Sequence, residues 1–128
     1  MNKILIDTSI WIEYFSGDNK NISLDKLIDE DIICTNEIIL CELIPFLKDK
    51  KEYELVDLLQ SIDLINLNIE WNKIIEYQTI NLKNNLRKIG IPDLIILQNI
   101  INNNLTFYTL DKHFKQMEKI HKISLYEI

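Results

Sequence analysis

Only two glycines, Gly17 and Gly90, and two prolines, Pro45 and Pro92, punctuate these 128 residues. That is too little for a flexible linker, and neither an internal repeat nor a low-complexity tract is present. A string of small modules is therefore excluded. Cysteine is equally scarce. Cys34 and Cys41 stand seven positions apart, with no CxxC and no histidine at zinc-finger spacing, so they read as two reduced, buried thiols. No apolar run approaches the roughly 20 residues that span a bilayer, and Asp7 breaks the N-terminus before a signal-peptide pattern forms. These absences predict a cytoplasmic protein without a membrane partner. Positive charge is also short, with 14 Lys and Arg against 20 Asp and Glu and a net charge of −6. A general grip on a phosphate backbone needs a basic surface. An enzyme of nucleic acids that gathers its acids around cations is still compatible with that balance.

What is present is ordinary for a globular chain, 47% hydrophobic and 27% charged, and long enough to bury one core. Residues 1–128 are expected to form a single domain. Apolar runs predict strands at 3–7, 31–35, 62–67, 105–109 and 122–127. Helical patterns occupy 9–16, 22–30, 36–48, 51–60, 69–88 and 92–103, and a further helix opens at Asp111. In 69–88 the stripe runs through Trp71, Ile74, Ile75, Gln78 and Leu82, with Gly90 as its stop and Pro92 in the first turn of the next helix. Strands alternating with helices predict an α/β fold with a central parallel sheet of four to five strands and helices on both faces. Such sheets hold their ligands at the carboxyl ends of the strands.

Four acids stand where that chemistry would be. Asp7 ends the first strand in "KILIDTSIW", and Asp111 follows the fourth in "TFYTLDKHF". Either could simply cap the helix it precedes, and Asp93, after Pro92, would meet the positive end of its helix dipole. Glu42 is harder to explain away: four residues after Ile38 and four before Phe46, it projects from an otherwise apolar stripe. Asp93 likewise aligns with Ile96, Leu97 and Ile100. A buried carboxylate persists only when paired or bound to a cation, and no four lysines or arginines are placed to neutralise this set. All-oxygen ligation suits Mg²⁺ or Mn²⁺ rather than zinc, and such clusters serve phosphodiester hydrolysis.

"ILIDTSIWIEYF", "CEL", "IGIPDLIILQNI" and "TFYTLDKHF", in this order over nearly the whole chain, resemble the PIN-domain ribonucleases, and among them the VapC-like toxins of type II toxin–antitoxin pairs. The resemblance implies a three-layer α/β/α domain and a Mg²⁺- or Mn²⁺-dependent endoribonuclease. It places the catalytic, metal-holding quartet on Asp7, Glu42, Asp93 and Asp111, with Ser9 and Thr109 in support. A VapB-like antitoxin, a homodimer and a structured RNA substrate, most plausibly a tRNA anticodon loop, are further implications. Two departures stand out. Leu94 to Leu97 replace an alanine-rich turn, and Pro45 should kink the helix that carries Glu42.

Rival readings fare worse. A phosphoacceptor receiver wants an Asp ending strand three and a Lys ending strand five, but "LINLN" and "SLYEI" supply neither. A dehalogenase-type phosphatase wants DxD where this chain has "DTS". The alternative kept is a PIN fold that binds without cutting. Lys83, Arg87 and Lys88, just ahead of Asp93, are candidates for RNA backbone contacts, whereas Lys48, Lys50 and Lys51 read as a solvated turn. His113 reads as a structural hydrogen-bonding residue and His121 as a surface one. Trp11, Ile12, Phe15, Leu43 and Phe46 form an apolar strip on which an antitoxin segment is expected to lie.

Overall fold

The computed structural model describes residues 2–17 and 24–127. Five strands form one sheet in the order β3-β2-β1-β4-β5, every neighbouring pair parallel. They are β1 (Ile4–Ile6), β2 (Ile33–Thr35), β3 (Asp63–Leu64), β4 (Thr106–Tyr108) and β5 (Ser124–Leu125). Among the described residues seven helices connect them: α1 (Thr8–Ser16), α2 (Leu24–Asp29), α3 (Glu37–Asp49), α4 (Tyr53–Gln60), α5 (Trp71–Lys83), α6 (Ile91–Asn103) and α7 (Lys112–His121). This is the expected three-layer α/β/α arrangement. The predicted start of α2 at residues 22–23 lies outside the described residues.

Burial explains the strand hierarchy. Ile4, Leu5 and Ile6 are covered on both faces, as are Ile33 and Cys34 in β2 and Phe107 and Tyr108 in β4. The outer strands are short, and both residues of β3 are exposed. The predicted strand 62–67 shrinks because, after Ile65 N–H donates to Thr35 O (2.9 Å), the chain bonds to side chains instead of a ladder. There Leu67 N–H donates to Glu37 Oε1 (3.0 Å) and Glu70 N–H to Gln98 Oε1 (3.0 Å). Strand order reverses between β1 and β4, since the chain moves outward through β2 and β3, then returns to the other side of β1. Right-handed crossovers in opposite directions put their helices on opposite faces. Accordingly α3 packs on α1 and α4, while α5 packs on α6 and α7.

Several elements differ from the sequence pattern. Helix α5 stops at Lys83, not at residue 88, because Asn85 and Lys88 adopt positive φ of 60° and 70°, a region asparagine tolerates well. Gly90 consequently ends nothing; it is the N-cap of α6, with Pro92 in the first turn as expected. The buried face of α5 is Ile74, Tyr77 and Asn81, whereas Trp71, Ile75 and Leu82 are exposed. Cys34 is buried, but Cys41 is exposed on α3. Helix α3 runs through Pro45, with Ile39, Leu43 and Leu47 facing the core.

Candidate active site

The buried strand β1 delivers Asp7 to the sheet's carboxyl edge. Its N–H donates to Tyr108 O (2.9 Å), extending the β1–β4 ladder, while its carbonyl accepts from Ile10 and Trp11 at the start of α1. Asp7 thus occupies the N-cap position, yet its side chain makes no capping hydrogen bond. The carboxylate turns inward instead, and the residue is 8% exposed. Oδ2 accepts from Ser9 Oγ (2.8 Å) and from Thr109 Oγ1 (2.7 Å). Both hydroxyls are fixed in turn: Leu110 N–H donates to Ser9 Oγ (3.0 Å) and Asp111 N–H to Thr109 Oγ1 (2.9 Å). Burial pushes the Asp7 carboxyl above its ordinary range; the hydrogen bonds from Thr109 and Ser9 oppose the rise, and the nearby Asp111 charge adds to it.

Asp111 does cap its helix, Oδ1 accepting from His113 N–H (2.9 Å). Glu42 differs from its expected burial. It projects from the exposed side of α3, where Thr8 Oγ1 donates to its Oε1 (3.0 Å). Partial desolvation in the cleft still raises its pKa, helped by the charge of Asp7 and opposed by the Thr8 hydrogen bond. Asp93 is half-buried in the first turn of α6. Desolvation first, then the charges of Asp111, Asp7 and Glu42, push its carboxyl up to about 6 against the pull of His113. The four acids therefore share one field at the β1/β4 switch point, where open parallel sheets present ligand sites. Among the described residues no Lys or Arg forms an ion pair with any of them.

Three residues that the sequence pattern did not single out help to build this place. Thr8 ties α1 to Glu42. Asn36, capping α3 through Ile39 N–H, also donates to Asn99 Oδ1 (3.0 Å), which locks the Glu42 helix to the Asp93 helix. The "TN" ahead of "EIIL" signalled the cap, but nothing in sequence paired it with Asn99. His113 lies closer to the acids than its structural reading allowed. Each of Asp93, Asp111 and His113 offers a ligand atom within 4.8 Å of the others. His121, expected at the surface, is half-buried on α7 with Nε2 2.7 Å from Asn81 Oδ1 and its ring edge-on to Tyr77. Burial lowers its pKa. Lys83, Arg87 and Lys88 are exposed at the end of α5 and in the loop leading to α6.

A parallel α/β/α fold with four carboxylates at its switch point, uncompensated by lysine or arginine among the described residues, defines a protein with a donor set suited to a hard divalent cation. The profile of the PIN domain matches residues 4–120, and the chain belongs to the PIN domain family. Its fold is similar to DNA-bound VapBC from Salmonella typhimurium, at TM-score 0.76 and 15% identity, covering 99% of this chain and 98% of that one. VapBC2 from Rickettsia felis, bound to a promoter DNA fragment, matches at TM-score 0.75 and 21% identity over 98% of both chains. VapC20 of Mycobacterium tuberculosis, a sarcin–ricin-loop-cleaving toxin, matches at TM-score 0.62 and 12% identity over 89% and 94%. No curated protein matches the chain significantly by sequence.

Proposed function

We propose that this chain is a metal-dependent endoribonuclease toxin of the VapC kind, restrained by a VapB-like antitoxin. The convergence of Asp7, Glu42, Asp93 and Asp111 in one field, without lysine or arginine partners among the described residues, carries the reading. In this reading the four carboxylates hold Mg²⁺ or Mn²⁺. The bound ion would lower the pKa of its water and neutralise charge on the attacked phosphate. Ser9 and Thr109 fix Asp7 in one rotamer, so that its second oxygen keeps a set direction, and Thr8 steadies Glu42 from the opposite wall. Lys83, Arg87 and Lys88 contact the RNA backbone.

A structured RNA, most plausibly a tRNA anticodon loop, suits a protein of net charge −6, which cannot hold arbitrary strands by electrostatics alone and must read shape and splayed bases. The sarcin–ricin-loop cleavage of the similar VapC20 supports a loop in a structured RNA, and the VapBC complexes among the similar structures support an antitoxin partner. A single domain over residues 1–128, working as a cytoplasmic homodimer, completes the proposal. The test is to map cut ends in RNA from induced cells and with purified chain in Mg²⁺ or Mn²⁺. One dominant cut with 5′-phosphate and 3′-hydroxyl ends, abolished by excess EDTA, is expected. Cleavage that survives EDTA, scattered cutting of messenger RNA, or 2′,3′-cyclic phosphate ends would overturn it.

A further inference from the structure

Among the described residues His113 is the one imidazole at the acidic cleft, and its placement follows from the cap of α7. Asp111 Oδ1 accepts from His113 N–H (2.9 Å), a bond between residues i and i+2 that folds both side chains over the same end of the helix. The imidazole is left uncommitted. Its Nδ1 stands 3.6 Å from Asp111 Oδ1, too long for a hydrogen bond, and among the described residues the ring makes no other. The expected structural role would need such a bond. With Asp93 and Asp111 it offers three ligand atoms mutually within 4.8 Å. Opposite ligands of one small divalent ion stand about 4.2 Å apart, so a modest ring rotation closes the set.

We propose that His113 completes the metal site as a nitrogen ligand and biases it toward Mn²⁺ over Mg²⁺. This rests on the metal-holding reading of the acids and adds to it. Mg²⁺ takes oxygen ligands almost exclusively and keeps its waters, whereas Mn²⁺, equally suited to carboxylates, belongs to the first-row divalent ions that bind mixed nitrogen and oxygen sites. Four carboxylates alone would distinguish the two ions poorly. With the imidazole in place, the ion that tolerates nitrogen is favoured, and Asp111 both binds it and, by accepting from the His113 N–H, sets the turn that carries the ring.

The experiment needs no RNA. Mn²⁺ and Mg²⁺ are titrated calorimetrically into the full chain and its His113→Ala and His113→Gln variants, and the Mn²⁺ complex is examined by pulsed electron paramagnetic resonance for coupling to an imidazole nitrogen. Expected are nitrogen coupling in the wild type, its loss in both variants, and a Mn²⁺ affinity lowered about tenfold or more, with Mg²⁺ affinity changed much less. Mn²⁺ binding without nitrogen coupling, or an equal loss for both ions, would overturn the ligand role while leaving the carboxylate site standing. No binding of either ion to the wild type would overturn both. Because His113 is partly exposed on a helix capped from its backbone, both variants should fold, and unchanged melting temperatures would confirm that the affinity change is local.

Discussion

At the residue scale, Asp7 shows how one side chain can be structurally satisfied and chemically poised together. Two hydroxyls donate to one of its oxygens; Ser9 is held by Leu110 N–H across the β1–β4 junction, and Thr109 by Asp111 N–H just beyond it in the chain. Replacing the carboxylate therefore separates charge from scaffold. Asp7→Asn keeps an oxygen to accept from Ser9 and Thr109 and removes a buried charge, so it should leave the metal-free protein as stable or more so at neutral pH while abolishing RNA cleavage. Asp7→Ala leaves both hydroxyls without that acceptor and should cost about 1–3 kcal/mol. Thermal and urea unfolding of the two variants against wild type measures the split. Equal destabilisation would mean that shape, not acceptance, is what the site requires. The sequence marked Asp7 as an acid at a strand end, but capping and function were both open there. Only the observed rotamer, which accepts from the Ser9 and Thr109 hydroxyls and caps nothing, separates them.

At the element scale, the amphipathic helices were legible as helices but not always as faces. On α1 and α3 the predicted strip of Trp11, Ile12, Phe15, Leu43 and Phe46 divides in two. Trp11 and Leu43 are fully buried, with Trp11 stacked on Phe15 at 5.5 Å between ring centroids, whereas Ile12 and Phe46 are nearly half exposed. The division has a physical cause: α3 covers α1, so residues on the facing sides meet each other and only the outer flanks meet solvent. Trp11→Ala should accordingly unfold the protein by about 3–5 kcal/mol. Ile12→Ala and Phe46→Ala should each shift stability by less than about 1 kcal/mol while weakening capture by the proposed antitoxin. Paired melting and pull-down measurements decide this, and wild-type antitoxin affinity in both exposed-flank variants would move the interface elsewhere. The end of α5 departs from the sequence pattern for a related reason. Its apolar period continues past Lys83, but Leu86 N–H turns back to bond Asn81 O, and a local pattern carries no trace of that choice.

At the scale of the whole molecule, the strand order 3-2-1-4-5 concentrates negative charge at one point, and that cost is measurable. Asp7, Glu42 and Asp93 all have raised folded-state pKa values, Asp93 reaching about 6. A raised carboxyl binds its proton more tightly in the fold than in the unfolded chain. Its stabilising contribution is full below about pH 4 and is lost as pH rises through about 6. Metal-free protein should therefore melt higher at pH 5 than at pH 7.5. Asp93 alone accounts for about 1 kcal/mol once solvent screening of its half-exposed carboxyl is discounted. Mn²⁺ or Mg²⁺ should restore stability by mass action at pH 7.5 and less at pH 5, where protons compete for the ligands. Melting curves with and without EDTA at the two pH values test this, with Asp93→Asn as the control that flattens the pH dependence. A metal-free melting temperature that does not fall between pH 5 and 7.5 would contradict the shared field.

The sequence by itself determined the alternation of strands and helices, the parallel sheet and the candidate acids, because apolar periodicity and polar interruptions are properties of neighbouring residues. Tertiary structure decided what depends on residues far apart in the chain. Thr109 reaches Asp7 across 102 positions and Asn36 reaches Asn99 across 63, and no local pattern encodes such pairs. It also decided which side of each amphipathic helix meets a partner helix or water, as Glu42 and Cys41 show by their exposure. Finally, it placed the His113 ring within reach of Asp93 and Asp111. That position follows from the packing of α6 and α7 against the sheet, since a side chain's neighbours are set by the closing of the fold.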